Sequence, residues 1–349
     1  MTCLRASSAV TIPAKRQFVK RRDRGALMDN TFSMLPRRHL LGYGMASLAF
    51  PQAAFGQDAK GEGFEPLPAQ IKVTPKQMTI NVKINEKGPF RFVIDTGSDR
   101  SVISEDLATA LRLPVGRQMS VQGIIRTVTA KSALVAKLEF GAATRDNLEM
   151  PVLPRNMLQA DGYLGLDTID RHRVIFDFRK QTMHVIEPRS PWFVDRRGMH
   201  NETLIAAPGY GGHLRSVECV VDGVNTVAFI DSGAEVSVGN GPLREKLMTV
   251  SQAYVGSRDI ELQGVTGGTS TARVIKVDTI LLGNLEFSGC ELAIADLEVF
   301  KIWDLTDKPA MLIGLNFLKE FSSVSVDFAR KEYRLILTSN NTWVSRQRA

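Results

Sequence analysis

Two aspartates stand in matching surroundings. Asp95-Thr96-Gly97-Ser98 follows the apolar run Phe92-Val93-Ile94, and Asp231-Ser232-Gly233-Ala234 follows Val227-Ala228-Phe229-Ile230. A carboxylate at the end of a buried strand is costly, because desolvation disfavours its charge. A glycine two residues later lets the backbone turn tightly and aim its own N–H groups at that carboxylate. The intervening Thr96 or Ser232 carries a hydroxyl able to bond across to a partner loop. One such loop alone performs no chemistry. Two, set face to face, bring their carboxyls close enough to share a proton: one acts as general base on a water, and the other, protonated, polarises a carbonyl. This chemistry requires no metal, no covalent intermediate and no cofactor.

Other chemistries find little support. The five histidines, at 39, 172, 184, 200 and 213, form no HExxH cluster, and the chain has no GxxxxGK[ST] and no GxSxG. No metal site is expected. Cys219 and Cys290 lack metal-ligand spacing; in an exported protein they could join, or remain reduced thiols. Paired carboxylates also cleave glycosides, but there they stand ~5–9.5 Å apart across a sugar ring, wider than a proton-sharing contact.

The elements that must position the aspartates occur twice. Val121-Gln122-Gly123-Ile124 comes after Asp95, and Leu262-Gln263-Gly264-Val265 after Asp231. Further on stand Tyr163-Leu164-Gly165-Leu166-Asp167 and Leu312-Ile313-Gly314-Leu315-Asn316. Each series closes on an Asp-Phe strand, at Val174–Lys180 and at Val324–Lys331. Four landmarks in one order, twice, indicate an internal duplication. The halves run from about 74 to 188 and from about 203 to 338. Residues 57–73 and 189–202 are read as linkers and 339–349 as a tail. Period-two alternation in Met78–Ile84, Ser216–Val221 and Lys331–Leu337 predicts strands. Asn85–Gly88 and Asp222-Gly223 predict hairpin turns just before each aspartate strand. Short helices are predicted only at Ser104–Leu111 and Pro242–Met248, and the apolar stretches Leu107–Leu113 and Phe317–Phe321 are assigned to the core. The fold class is all-β.

With 349 residues, 44% of them apolar, the chain has room for two sizeable cores. Its net charge of +7 does not mark a nucleic-acid surface. Residues 1–57 hold nine basic and two acidic residues, while the remaining 292 hold 35 of each. The excess belongs to a leader, residues 1–56. There Arg37-Arg38 opens an apolar run from Leu40 to Phe55, short of the ~20 residues that span a bilayer. Ala54-Phe55-Gly56 places small residues at −3 and −1 of a cleavage before Gln57. An export signal of the twin-arginine or general secretory type is expected, with translation starting at Met1, Met28 or Met34, and a periplasmic or secreted product without a stable membrane span.

At Asp95-Thr96-Gly97-Ser98 and Asp231-Ser232-Gly233-Ala234 the sequence resembles the paired loops of aspartic proteases. Leu164-Gly165 and Ile313-Gly314 are similar to the family's apolar-apolar-Gly motif, a strand threaded under the loop where only glycine fits. The forms Leu-Gly-Leu-Asp and Ile-Gly-Leu-Asn-Phe-Leu look more retropepsin-like than pepsin-like. The resemblance covers roughly residues 74–338. It implies two similar double-psi β-barrel halves with a cleft between them, and Asp95 and Asp231 as the catalytic pair, supported by Thr96, Gly97, Ser98, Ser232 and Gly233. It also implies flap hairpins over the substrate at Gln122, Gly123 and Ile124 and at Gln263 and Gly264, with Asp99 and Glu235 beside the substrate backbone. The implied partner is a peptide or unfolded protein, acted on by a monomer rather than a swapped dimer. A peptide-binding protein that keeps the fold without turnover is the alternative. Ser98, with no hydroxyl counterpart at Ala234, is expected to donate to the Asp95 carboxylate and bias the shared proton toward Asp231.

Overall fold

A computed structural model describes residues 3–5, 9–10, 68–170, 172–186, 202–206, 216–250, 258–328, 330–337 and 344–346. Of the leader only residues 3–5 and 9–10 are described, as short strands paired with 261–263 and with 122–123. The Arg37–Phe55 signal, its cleavage point, most of the first linker and nearly all of the second lie outside the described residues. What is described of the body is mostly strand.

Each half is one sheet that closes on itself, and the two follow the same order. In the N-terminal half the sequence of neighbours is 78–84, 87–94, 162–164, 102–104, 143–153, 127–140 and 115–123, with 78–84 also pairing back onto 127–140. In the C-terminal half it is 258–263, 269–282, 216–221, 224–230, 310–313, 238–239 and 285–294, with 269–282 also paired to 285–294. Both aspartate strands enter through tight two-residue turns. Ile84 pairs with Lys87 around Asn85 and Glu86, both at positive φ, and Val221 pairs with Val224 around Asp222 and Gly223, likewise. Such turns match the twist of the strands they join.

The expected helices are present as Glu105–Ala110 and Gly241–Val250, the first capped by the Ser104 hydroxyl accepting the Leu107 N–H. Short turns of helix not expected from sequence occur at Arg155–Leu158, Leu166–Ile169, Glu298–Ile302 and Leu315–Leu318. Leu107, Phe317, Leu318 and Phe321 are buried core, as assigned from sequence. Three boundaries differ. Val344–Arg346, in the expected tail, is a strand paired with 285–287, and Glu202, in the second linker, begins strand 202–206. Ala69–Val73, which reads as linker, is a strand paired with 78–84 and with 182–186, because Ala69 and Ile71 have an apolar layer to join.

A third set of strands joins the halves. Its order is 202–206, 332–337, 321–327, 173–177, 182–186, 69–73, so three strands come from each half. The seam runs between 173–177 and 321–327, paired antiparallel from Arg173 opposite Asp327 to Asp177 opposite Ser323. At one end of the seam Arg173 Nε and Nη2 donate to Asp327 Oδ2 at 2.8 and 2.5 Å, both side chains almost fully buried.

The cysteines cannot pair. Cys219 lies opposite Leu282 and Cys290 opposite Val277, five residues apart on one strand, or roughly 17 Å at ~3.4 Å per residue. A disulfide needs Cα atoms within ~7 Å. Both are free thiols.

Candidate active site

The two aspartates meet where the halves meet. Asp95 ends strand 87–94, whose neighbour 162–164 runs parallel to it; Asp231 ends 224–230, whose neighbour 310–313 does the same. The Asp95 N–H bonds the Leu164 carbonyl at 3.0 Å and the Asp231 N–H bonds that of Ile313 at 2.9 Å. Past each aspartate the chain turns and its amides point back. Gly97 N donates to Asp95 Oδ1 at 2.9 Å; Gly233 N and Ala234 N donate to Asp231 Oδ1 at 2.8 and 3.2 Å.

The loops are stitched to each other by a reciprocal set of bonds. The Thr96 hydroxyl donates to the Ile230 carbonyl at 3.2 Å and accepts the Ser232 N–H at 3.0 Å. The Ser232 hydroxyl donates to the Ile94 carbonyl at 2.9 Å and accepts the Thr96 N–H at 3.1 Å. Each hydroxyl thus uses its proton and a lone pair across the junction. This is why both positions carry a hydroxyl residue, and it fixes one carboxyl against the other.

Asp95 and Asp231 are both buried, and close enough that the Asp231 carboxyl raises the proton affinity of Asp95 both by its charge and by side-chain hydrogen bonding. Asp95 Oδ2 is sealed from solvent and meets no N–H or hydroxyl donor among the described residues. Two ionised carboxylates offer each other only acceptors, so a proton held between them is what satisfies both. Burial pushes Asp95 well above the usual carboxylate range, and the charge of Asp231 pushes it further; the Gly97 N–H opposes both. Tyr333, on the joining sheet, is also raised, by burial first and then by the Asp231 charge.

Behind each loop lies a support that the sequence reading missed. Gly165 N–H donates to Ser101 Oγ at 3.0 Å, and Ser101 Oγ donates to Asp167 Oδ1 at 2.7 Å. In the other half Gly314 N–H donates to Ser237 Oγ and Ser237 Oγ to Asn316 Oδ1, both at 2.9 Å. The signal was available: a serine stands six residues after each aspartate, with Asp or Asn two residues after each glycine. Burial pushes Asp167 up to about 6 despite the bonds from Ser101. It pushes Asp99 up to about 7 against the Arg100 guanidinium, with Asp167 adding to the rise.

The glycines are required for space, since their extended backbone suits any residue. A Cβ on Gly165 would lie 2.5 Å from the Arg100 carbonyl carbon, and one on Gly314 would lie 2.7 Å from the Val236 carbonyl. Backbone cannot yield as a side-chain tip can. Gly165→Ala and Gly314→Ala are each expected to cost about 1–3 kcal/mol or more. Thermal melts would show this as a drop of roughly 2–4 °C per kcal/mol.

One expectation changes. The Ser98 hydroxyl donates to the Arg100 carbonyl at 2.7 Å, so its single proton is spent there and is not aimed at Asp95. Asp95 receives the Ser98 backbone N–H instead, as Asp231 receives that of Ala234, and the presumed asymmetry disappears. Asp99 and Glu235 sit next to the loops, their carbonyls accepting the N–H of Asp167 and Asn316 at 3.2 Å. Glu235 is buried.

Gln122, Gly123 and Ile124 reach the tip of hairpin 115–140, and Gln263 and Gly264 that of hairpin 258–282. The tips meet: Thr266 Oγ1 donates to the Arg126 carbonyl at 2.7 Å, and Arg126 Nε to the Thr266 carbonyl at 2.8 Å. A Cβ on Gly123 would fall 2.1 Å from Thr266 Oγ1, so only glycine permits this approach.

The aspartyl protease family model matches the chain over residues 80–168 and 217–317, more than half of its length, with one aspartate loop and one supporting glycine in each match. The chain belongs to the aspartyl protease family. No curated protein matches it. The two matched regions contain equivalent parts of the two halves, in line with a duplication. No helix among the described residues is long and apolar enough to cross a membrane, and no group of three or more candidate ligands that could hold a metal occurs among them.

Proposed function

We propose that this aspartyl protease is an exported endopeptidase, each half a double-psi β-barrel, with Asp95 and Asp231 as the catalytic pair. The observation that carries this reading is the closeness of two buried carboxyls, each held by loop amides and locked to the other by Thr96 and Ser232. With one proton between them, the ionised carboxylate takes a proton from a water placed against both. The hydroxide equivalent adds to the scissile carbonyl carbon, and the protonated carboxyl gives its proton to the carbonyl oxygen. The tetrahedral diol collapses as the amide nitrogen is protonated, and the dyad returns to its one-proton state. The non-catalytic alternative has no observation in its favour, because both loops are intact.

The export half of the proposal rests on the basic, apolar leader and places the product in the periplasm or outside the cell, as a monomer acting on peptide or unfolded protein. Both parts are open to one preparation. The secreted fraction is expected to start at Gln57 on N-terminal sequencing and to cleave unfolded casein in a manner blocked by a statine-type mimic. An intact leader on cytoplasmic protein would refute export, and statine-insensitive cleavage would refute the dyad.

A further inference from the structure

The hairpin tips are exchanged between the halves. Ile124, from the N-terminal half, is fully buried in a cluster of the C-terminal half with Phe229, Leu262, Val299 and Phe300. Val265, from the C-terminal half, is buried in a cluster of the N-terminal half with Val93, Val121, Leu158 and Tyr163. The exchange is reciprocal in packing but unequal in bonding. The Ile124 carbonyl accepts the Val299 N–H at 3.2 Å, from the short helix Glu298–Ile302. The Val265 carbonyl has no corresponding bond among the described residues. The second tip also carries Gly267 and Gly268, both in the left-handed region at φ +81° and +83°, where glycine alone moves freely.

From this inequality we infer that Arg126 and Thr266 are positioning residues forming a latch, and that the cleft opens on one side. When the two bonds between Arg126 and Thr266 part, the first hairpin stays docked on helix 298–302 and the second lifts, pivoting at its glycines. The inference rests on the proposed function only in taking the cleft beneath the tips as the substrate's place. Entry of an extended peptide then requires release of the latch, and closure over it excludes water from the carboxyls.

Hydrogen exchange followed by mass spectrometry on the full chain tests the latch without any assay of turnover. Thr266→Val is expected to speed exchange of residues 264–268 roughly three- to tenfold, the loss of one hydrogen bond, while 122–126 stay within about twofold of the parent. Thr266→Ser, which keeps the hydroxyl, is expected to retain parental exchange. Arg126→Ala, removing only the Nε bond, gives the same pattern by an independent route. Both hairpins accelerating together would overturn one-sided opening, and neither accelerating would overturn the latch. In peptidase assays Thr266→Val is expected to raise KM several-fold with kcat within about twofold. A chain inactive on peptides would fail the proposed function and leave the exchange result to decide the latch.

Discussion

Asp95→Asn and Asp231→Asn are each expected to lower kcat/KM by about 10⁴-fold or more, above the middle of the ~10²–10⁴ range of a single general acid or base, because both roles go at once. They should be lost together. With one proton shared between two carboxyls, an amide in either place leaves a site that can still donate hydrogen bonds but no longer holds the one-proton state. The double variant should therefore be little worse than either single one, as for groups acting as a unit. Wild-type turnover from either variant would disprove the pair.

The same variants should not unfold the protein, and at neutral pH Asp95→Asn should melt higher than the parent. The folded-state proton affinity of Asp95 is raised, chiefly by burial and then by Asp231. A group of that kind adds stability below its unfolded pKa, and this is lost as pH rises through the folded value. Asp167 and Asp99, raised to about 6 and about 7, act in the same sense. The parent is thus expected to lose melting temperature between about pH 4 and pH 7. Asp95→Asn removes part of that slope, and melts across this range would show it. An unchanged slope would mean that the buried carboxyl costs nothing to ionise.

The largest loss of stability is expected at the seam. Arg173 and Asp327 are 4% and 2% exposed, and the guanidinium sends two donors to one carboxylate oxygen. Arg173→Leu would strand a buried carboxylate, an arrangement that costs about 3–5 kcal/mol, or roughly 6–20 °C in a melt. Replacing both partners by apolar residues should restore most of it, because the pair itself had to be desolvated. That rescue separates an electrostatic orphan from a packing defect. If the double replacement were as unstable as Arg173→Leu, the loss would belong to the shape of the side chain.

How much of this was legible in the sequence depended on whether the information was local. The aspartate loops, the supporting glycines and the two-residue turns each depend on a few consecutive residues, and their repetition made them readable. The Ser101–Asp167 and Ser237–Asn316 pairs join residues 66 and 79 apart, so neither member stands out beside its neighbours. The seam was less visible still. Nothing around Arg173 marks Asp327 as its partner, and a strand such as Ala69–Val73 looks like linker until the sheet that receives it is known. Ser98 failed for a different reason: its position was right, but a hydroxyl takes whichever acceptor is nearest, and here that is the Arg100 carbonyl.

A symmetric pair of identical chains must write every residue twice, so a change that helps one side of the axis is imposed on the other. Here the seam ties two unequal copies into one polypeptide, and the copies have used the freedom. Asp167 answers to Asn316, Asp99 to Glu235, Ile124 to Val265, and the buried ion pair stands at one end of the seam, with Asp177 and Ser323 at the other. A peptide lying across such a site meets a different wall to its left and to its right. Its direction is therefore readable by the enzyme, which a perfectly twofold cleft could not distinguish.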